Sequence, residues 1–174
     1  MSDTVSTTLE DGIAVILLDN PPVNALGHNL REPLFRALEA AKADDAVKAI
    51  VIACAGRTFI AGADISEFGK PPKAPSLPDL IGLLESIDKP TVVAIHGTAL
   101  GGGLELALGC HYRIAERSAK IGLPEVTLGL IPGAGGTVRL PRLVGPEAAL
   151  GIIVSGKPIG MDEAFSLGAV DRIA

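Results

Sequence analysis

Apolar positions along the chain follow two rhythms. Short unbroken runs rich in β-branched residues fall at Ile13–Leu18 and Ala49–Cys54 and predict buried strands, and a third at Thr91–Ile95 predicts another strand. Elsewhere apolar residues recur at the spacing of one helix face, as at Leu30, Leu34, Leu38 and Ala41. Asn29 followed by Glu32 has the form of a capping box that would start this helix, and Pro33 is tolerable only near such a start. Helices are also predicted over 77–87 and 102–108, after Gly135 and from about Pro146, with a further strand over 112–115. Residues 69–78 carry four prolines and read as a surface loop. Residues 169–173 read as the beginning of a strand or turn. Strands alternate with helices and no repeat of solenoid length is present, so the expectation is one α/β domain over 1–174.

Composition narrows the function classes. The 174 residues are 48 % apolar but only 3 % aromatic, so the core must be built from Ala, Val, Ile and Leu. A net charge of −5 with interspersed signs and no basic cluster argues against nucleic acid as a partner. Cys54 and Cys110 both lie in apolar surroundings and read as buried free thiols of a reducing compartment. Met1-Ser2-Asp3-Thr4 has neither the basic nor the apolar region of a secretory signal, and no apolar run approaches a membrane span. A cytoplasmic protein without membrane partners is expected.

Three stretches carry candidate chemistry. In Gly97-Thr98-Ala99-Leu100-Gly101-Gly102-Gly103-Leu104-Glu105-Leu106 a strand runs through a triple-glycine turn into a helix. The free amides of that helix start, with their partial positive charge, suit a developing oxyanion, and Glu105 lies one turn in. Taken alone, the stretch is equally a flexible turn before a helix with one solvated charge. Ala61-Gly62-Ala63-Asp64 is a second small-residue turn that could offer another N–H to the same oxygen. Glu125, in Gly122-Leu123-Pro124-Glu125-Val126, is flanked by apolar residues whose desolvation would suit an acid or base, although an isolated Glu is more often a surface carboxylate. Other patterns fail. Pro158 stands where the phosphate loop approximated by 151–157 needs Ser or Thr, and Val138 occupies the third glycine position of a dinucleotide fingerprint at 133–138. His28, His96 and His111 lack metal-ligand spacing, and neither cysteine stands in a metal or redox motif.

Four segments together resemble the enoyl-CoA hydratase/isomerase (crotonase) family. They are Asn20-Pro21-Pro22-Val23-Asn24-Ala25-Leu26, Phe59-Ile60-Ala61-Gly62-Ala63-Asp64-Ile65, the triple-glycine run with Glu105, and Leu123-Pro124-Glu125 through Gly129-Leu130-Ile131-Pro132-Gly133. The wording from Leu104 to Arg113 is similar to the hydratase part of peroxisomal-type multifunctional β-oxidation enzymes, in which a 3-hydroxyacyl-CoA dehydrogenase follows on the same chain. The resemblance implies a crotonase-like superhelix of repeated ββα units and an oxyanion hole from the amides of Ala63 and Gly102. It implies catalytic carboxyl groups at Glu105 and Glu125. It also implies substrate contacts from Ala63, Asp64, Ile65, Ser66 and Gly102, with Ile131 and Pro132 at the acyl pocket. The implied activity is hydration of 2-enoyl-CoA thioesters in fatty acid β-oxidation, a lyase reaction needing no metal or separate cofactor. The alternatives are a Δ3,Δ2-enoyl-CoA isomerase working through Glu125 and a non-catalytic fragment that binds coenzyme A. A peroxisomal matrix location follows if the source is eukaryotic. The family continues into C-terminal helices, so this chain is expected to be truncated, with a homo-oligomer or a fusion to the dehydrogenase part as its larger context.

Overall fold

A computed structural model describes residues 4–174; the reading of Met1-Ser2-Asp3 as lacking a leader lies outside the described residues. In chain order the elements are β1 Val5–Glu10, β2 Ile13–Leu18, α1 His28–Ala43, β3 Ala49–Cys54, α2 Leu77–Glu85, β4 Thr91–Ile95, β5 Thr98–Leu100, α3 Gly102–Leu108, β6 Tyr112–Ala115, β7 Lys120–Gly122, α4 Gly136–Val144, α5 Pro146–Ser155, β8 Ile159–Gly160, α6 Met161–Ser166 and β9 Arg172–Ile173. Short 3-10 turns cover Ile65–Glu67 and Pro124–Leu128.

Two sheets organise these elements. The larger runs β1-β2-β3-β4-β6-β9, with β1 antiparallel to β2 and every other neighbour parallel. The smaller runs β5-β7-β8, with β5 and β7 parallel. The order ββα recurs as β1-β2-α1 and β4-β5-α3. After β3 the second strand is reduced to single bridges: Ile60 pairs with Ala99 and Ala63 with Leu26. This is the crotonase-type arrangement of repeated ββα units.

The core explains the pattern, with one correction. The two runs read as buried strands, and the third strand with them, are buried on alternate residues only. Ile16 and Leu18, Ile50 and Ile52, and Val93 and Ile95 point into the core, whereas Ile13 and Leu17 are exposed. The helices cover one face of the sheet, so alternation governs even where both sets of residues are apolar. In α1 the predicted stripe of Leu30, Leu34, Leu38 and Ala41 is buried.

The predicted capping box at Asn29 does not form. The helix begins two residues earlier, with Gly27 as an N-cap lacking a side-chain bond, and the Asn29 amide donates to Asn20 Oδ1 instead. Pro33 lies inside the helix, where it leaves the Asn29 carbonyl without its usual N–H partner; the Thr4 hydroxyl donates to that oxygen at 3.0 Å. Helix α2 stops at Glu85, short of the predicted end, and its capping box is formed by Ser76 and Asp79. The proline-rich stretch before it is irregular, as expected. Buried Arg31 holds that stretch down, donating to Glu67 and to the carbonyls of Leu26, Lys73 and Pro75. Cys54 and Cys110 are free and buried, and burial pushes the Cys110 thiol up to about 12. No helix among the described residues is long and apolar enough to cross a membrane.

Candidate active site

The small sheet brings the candidate residues together. β5 and β7 lie side by side in parallel, with Leu100 opposite Gly122. Just beyond its last residue, β5 turns into α3, which carries Glu105; β7 leads into the 3-10 turn that carries Glu125. The Gly101 amide donates to the Gly122 carbonyl at 2.9 Å and fastens the two exits to each other.

The triple-glycine turn is needed for close packing against protein groups. Gly101 has φ +51, and a Cβ there would stand 3.1 Å from Glu125 Oε1. A Cβ on Gly102 would press on Leu77, and one on Gly103 would collide with the Ile60 carbonyl. The same construction places the Gly102 Cβ position 3.8 Å from the Ala63 nitrogen, so the two amides expected to form an oxyanion hole are neighbours. Gly102 is the first residue of α3, where an N–H has no partner within the helix, and neither this amide nor that of Ala63 has a backbone acceptor among the described residues.

Glu105 is 3 % exposed, in the first turn of α3. Its Oε1 accepts N–H bonds from Ala134 and Gly136, each at 2.8 Å. The donors are Ala134, in the glycine-rich turn before α4, and Gly136, the first residue of α4, and a Cβ on Gly136 would stand 3.1 Å from Oε1. Glu125 has the opposite environment. Its Oε2 is buried and has no hydrogen-bond partner among the described residues. Burial, with a smaller contribution from the charge of nearby Glu105, holds its carboxyl above the usual range.

A cleft of about 120 Å³ opens over these groups. Ala63, Gly102 and Glu125 line it, with Phe68, Leu128 and Leu130 as apolar walls. Of the other sequence-predicted substrate residues, Ile65 also lines it, while Asp64, Ser66, Ile131 and Pro132 do not. Asp64 caps the Ile65–Glu67 turn by accepting from the Ser66 amide, Ile131 is 79 % exposed and Pro132 is buried beside the cleft-forming loop. Glu105 is not among the residues that line the cleft. The three histidines lie in separate places: His28 starts α1, His96 contacts the Gly56 carbonyl and His111 contacts Thr91. Sequence reasoning missed the Ala134 and Gly136 amides. The glycines at 133–136 were visible, but as a failed dinucleotide pattern, because their partner lies 29 to 31 residues away.

Two neighbouring amides without backbone acceptors, beside one carboxyl group tethered by backbone donors and one whose Oε2 has no partner among the described residues, form an arrangement that can receive an acyl oxygen in the manner of an oxyanion hole. The enoyl-CoA hydratase/isomerase family model matches residues 8–174, and the chain belongs to that family. It is 51 % identical over 168 residues to the human peroxisomal bifunctional enzyme, covering 96 % of this chain and 23 % of that one. It is 47 % identical over 175 residues to a probable enoyl-CoA hydratase of Bacillus subtilis, covering 97 % of this chain and 68 % of that one. The crystal structure of an enoyl-CoA hydratase from Bacillus anthracis superposes with a TM-score of 0.92 at 34 % identity, covering 98 % of this chain and 70 % of that one. The chain thus spans under a quarter of the length of the bifunctional relatives it matches.

Proposed function

We propose that the chain is the hydratase part of a β-oxidation enzyme and adds water to 2-enoyl-CoA thioesters. The observation that carries this reading is the pairing of Glu105 and Glu125 next to the unengaged amides of Ala63 and Gly102. The thioester carbonyl oxygen accepts from these two amides. Glu105, with one oxygen fixed by Ala134 and Gly136, takes a proton from water as its oxygen bonds to the β-carbon. The electron pair of the double bond moves toward the thioester, and its oxygen gains negative charge against the two amides. Glu125, whose carboxyl is held above the usual range by burial, delivers a proton to the α-carbon. No covalent intermediate forms; the step leaves Glu105 protonated and Glu125 ionised, and proton exchange with solvent resets the pair. Asp64, Ser66, Ile131 and Pro132, away from the described cleft, belong in this reading to the more distant parts of the coenzyme A and acyl chain.

A second reading is supported by one feature: Glu125 lines the cleft while Glu105 does not. Glu125 alone suffices to move a proton between carbons, which is Δ3,Δ2-enoyl-CoA isomerisation. Relatives named as peroxisomal, glyoxysomal and bacterial proteins support a peroxisomal matrix setting in a eukaryote and a cytoplasmic one in a bacterium. The multifunctional relatives support fusion to further catalytic parts, and a homo-oligomer is the other context proposed. Loss of enoyl-thioester absorbance on mixing crotonyl-CoA and longer 2-enoyl-CoA substrates with the protein tests the hydratase reading. No absorbance change with any chain length refutes it.

A further inference from the structure

Glu105 owes its orientation to a turn, and the turn is itself held by a residue outside the cleft. Ala134 donates its N–H to Glu105 Oε1, and the carbonyl of the same Ala134 accepts from Arg139 Nη1 at 2.8 Å. The remaining edge of that guanidinium grips Glu85 in a two-pronged pair, Nε to Oε1 at 2.6 Å and Nη2 to Oε2 at 2.7 Å. We propose that Arg139, braced by Glu85, is a positioning residue for Glu105, acting by fixing the turn 133–136 whose amides hold that carboxyl group. The proposal rests on the hydratase reading for its kinetic consequences.

Three observations support it. First, the guanidinium is satisfied on both edges by groups from different elements, Glu85 at the end of α2 and the turn ahead of α4, so its plane is fixed. An ammonium group has no second edge with which to span the two. Second, the brace stands on a rigid base. α2 is capped by Ser76 and Asp79 and buries Leu80, Ile81 and Leu84, and the hydrogen bond from Arg139 holds the Glu85 carboxyl below the usual range. Third, the turn is shaped around Arg139. Gly135 has φ +94, and a Cβ there would clash with Arg139 Nη1. Because Glu85 is half exposed, the ion pair itself adds little to folding stability. Its effect is on the direction in which Glu105 points, where a displacement of about 1 Å can cost on the order of 10²-fold in rate.

The expected results separate this role from a plain α2–α4 ion pair. Arg139→Gln lowers kcat about 10- to 100-fold with KM little changed, since neither Arg139 nor Glu85 lines the cleft. Arg139→Lys keeps the charge and does not rescue. Glu85→Gln falls less, because Arg139 keeps its bond to Ala134. The double variant E85R/R139E restores the ion pair but not kcat, since a carboxylate at 139 cannot donate to the Ala134 carbonyl. Recovery of kcat in the swap, or an unchanged kcat in Arg139→Gln, overturns the proposal. Amide hydrogen exchange provides a readout free of activity. Arg139→Gln loses protection at the Ala134 and Gly136 amides while the core strands keep theirs, and unchanged protection there overturns the proposal. If the wild-type protein hydrates no enoyl thioester, the hydratase reading fails, and the exchange measurement still decides whether Arg139 holds the turn.

Discussion

Replacing Glu125 by Gln tests the site through stability and rate at once, with opposite signs. In the wild-type protein the Oε2 atom is buried without a donor among the described residues, beside a second carboxyl group. An ionised carboxylate there lacks the hydrogen bonds that water gives it in the unfolded chain, and leaving a buried polar group unmatched costs about 1–3 kcal/mol. The side chain is only partly buried, so the lower end, about 1 kcal/mol, applies. The folded protein holds the Glu125 proton more tightly than the unfolded chain does, since its pKa is raised. The contribution of this proton is therefore complete below the unfolded value of about 4.3 and is lost as pH rises through the folded value. Glu125→Gln, which never ionises, should raise the melting temperature by roughly 2–4 °C at pH 8, the shift expected for about 1 kcal/mol in a chain of this size, and leave it nearly unchanged at pH 4. Hydration of crotonyl-CoA should fall by roughly 10²–10⁴, the worth of a positioned acid. Thermal melts by circular dichroism at the two pH values, with the absorbance assay on the same preparations, make both measurements. A variant less stable than wild type at pH 8, or one that retains its turnover, refutes the argument that an unpartnered, proton-holding carboxyl group does the work.

Two further outcomes are expected. Glu105→Gln keeps an oxygen for the Ala134 and Gly136 amides, so it should fold normally, lose hydratase turnover by roughly 10²–10⁴ and keep more of any 3-enoyl-CoA isomerisation; full hydratase activity in this variant would put the isomerase reading first. Gly102→Pro removes the N–H at the first position of α3, where proline geometry is otherwise acceptable, and should cost on the order of 10²–10³ in rate; pairing it with Leu77→Ala relieves the contact that a side chain at 102 would make, and near-normal turnover in the folded double variant removes Gly102 from the oxyanion hole.

The main strands and helices were legible in the sequence because each is long enough to show a period. β1 was not: five of its six residues are exposed at the sheet edge, so Val5 to Glu10 carry no buried stripe. β5, β7 and β8 have two or three residues each, too few for alternation to register, yet they position both carboxyl groups. Glu105, Glu125 and the two small-residue turns stood out as polar or glycine-rich positions in apolar surroundings. What surrounds them did not. The amides that hold Glu105, the guanidinium that holds the amides and the apolar walls at Phe68, Leu128 and Leu130 are set by contacts between elements far apart in sequence. The failed cap at Asn29 has the same cause, since Asn20, brought alongside by the preceding loop, takes its side chain.

The parallel pairing of β5 with β7 makes the sheet ladder a ruler for the chemistry. Because Leu100 lies opposite Gly122, the offset between the two carboxyl groups is counted in residues from a shared rung, and it can change only in steps. A slip of two residues would carry Glu125 about 6.6 Å along the strand. A deletion of one residue within β7 would turn Ile121, now 1 % exposed, toward the opposite face. Chain length between the strands is free by comparison. The exposed turn at Arg117 and Ser118 lies off the ladder, so added residues there lengthen the excursion without moving the rung. Such an arrangement lets the chain change in length through this region while the two carboxyl groups keep their spacing.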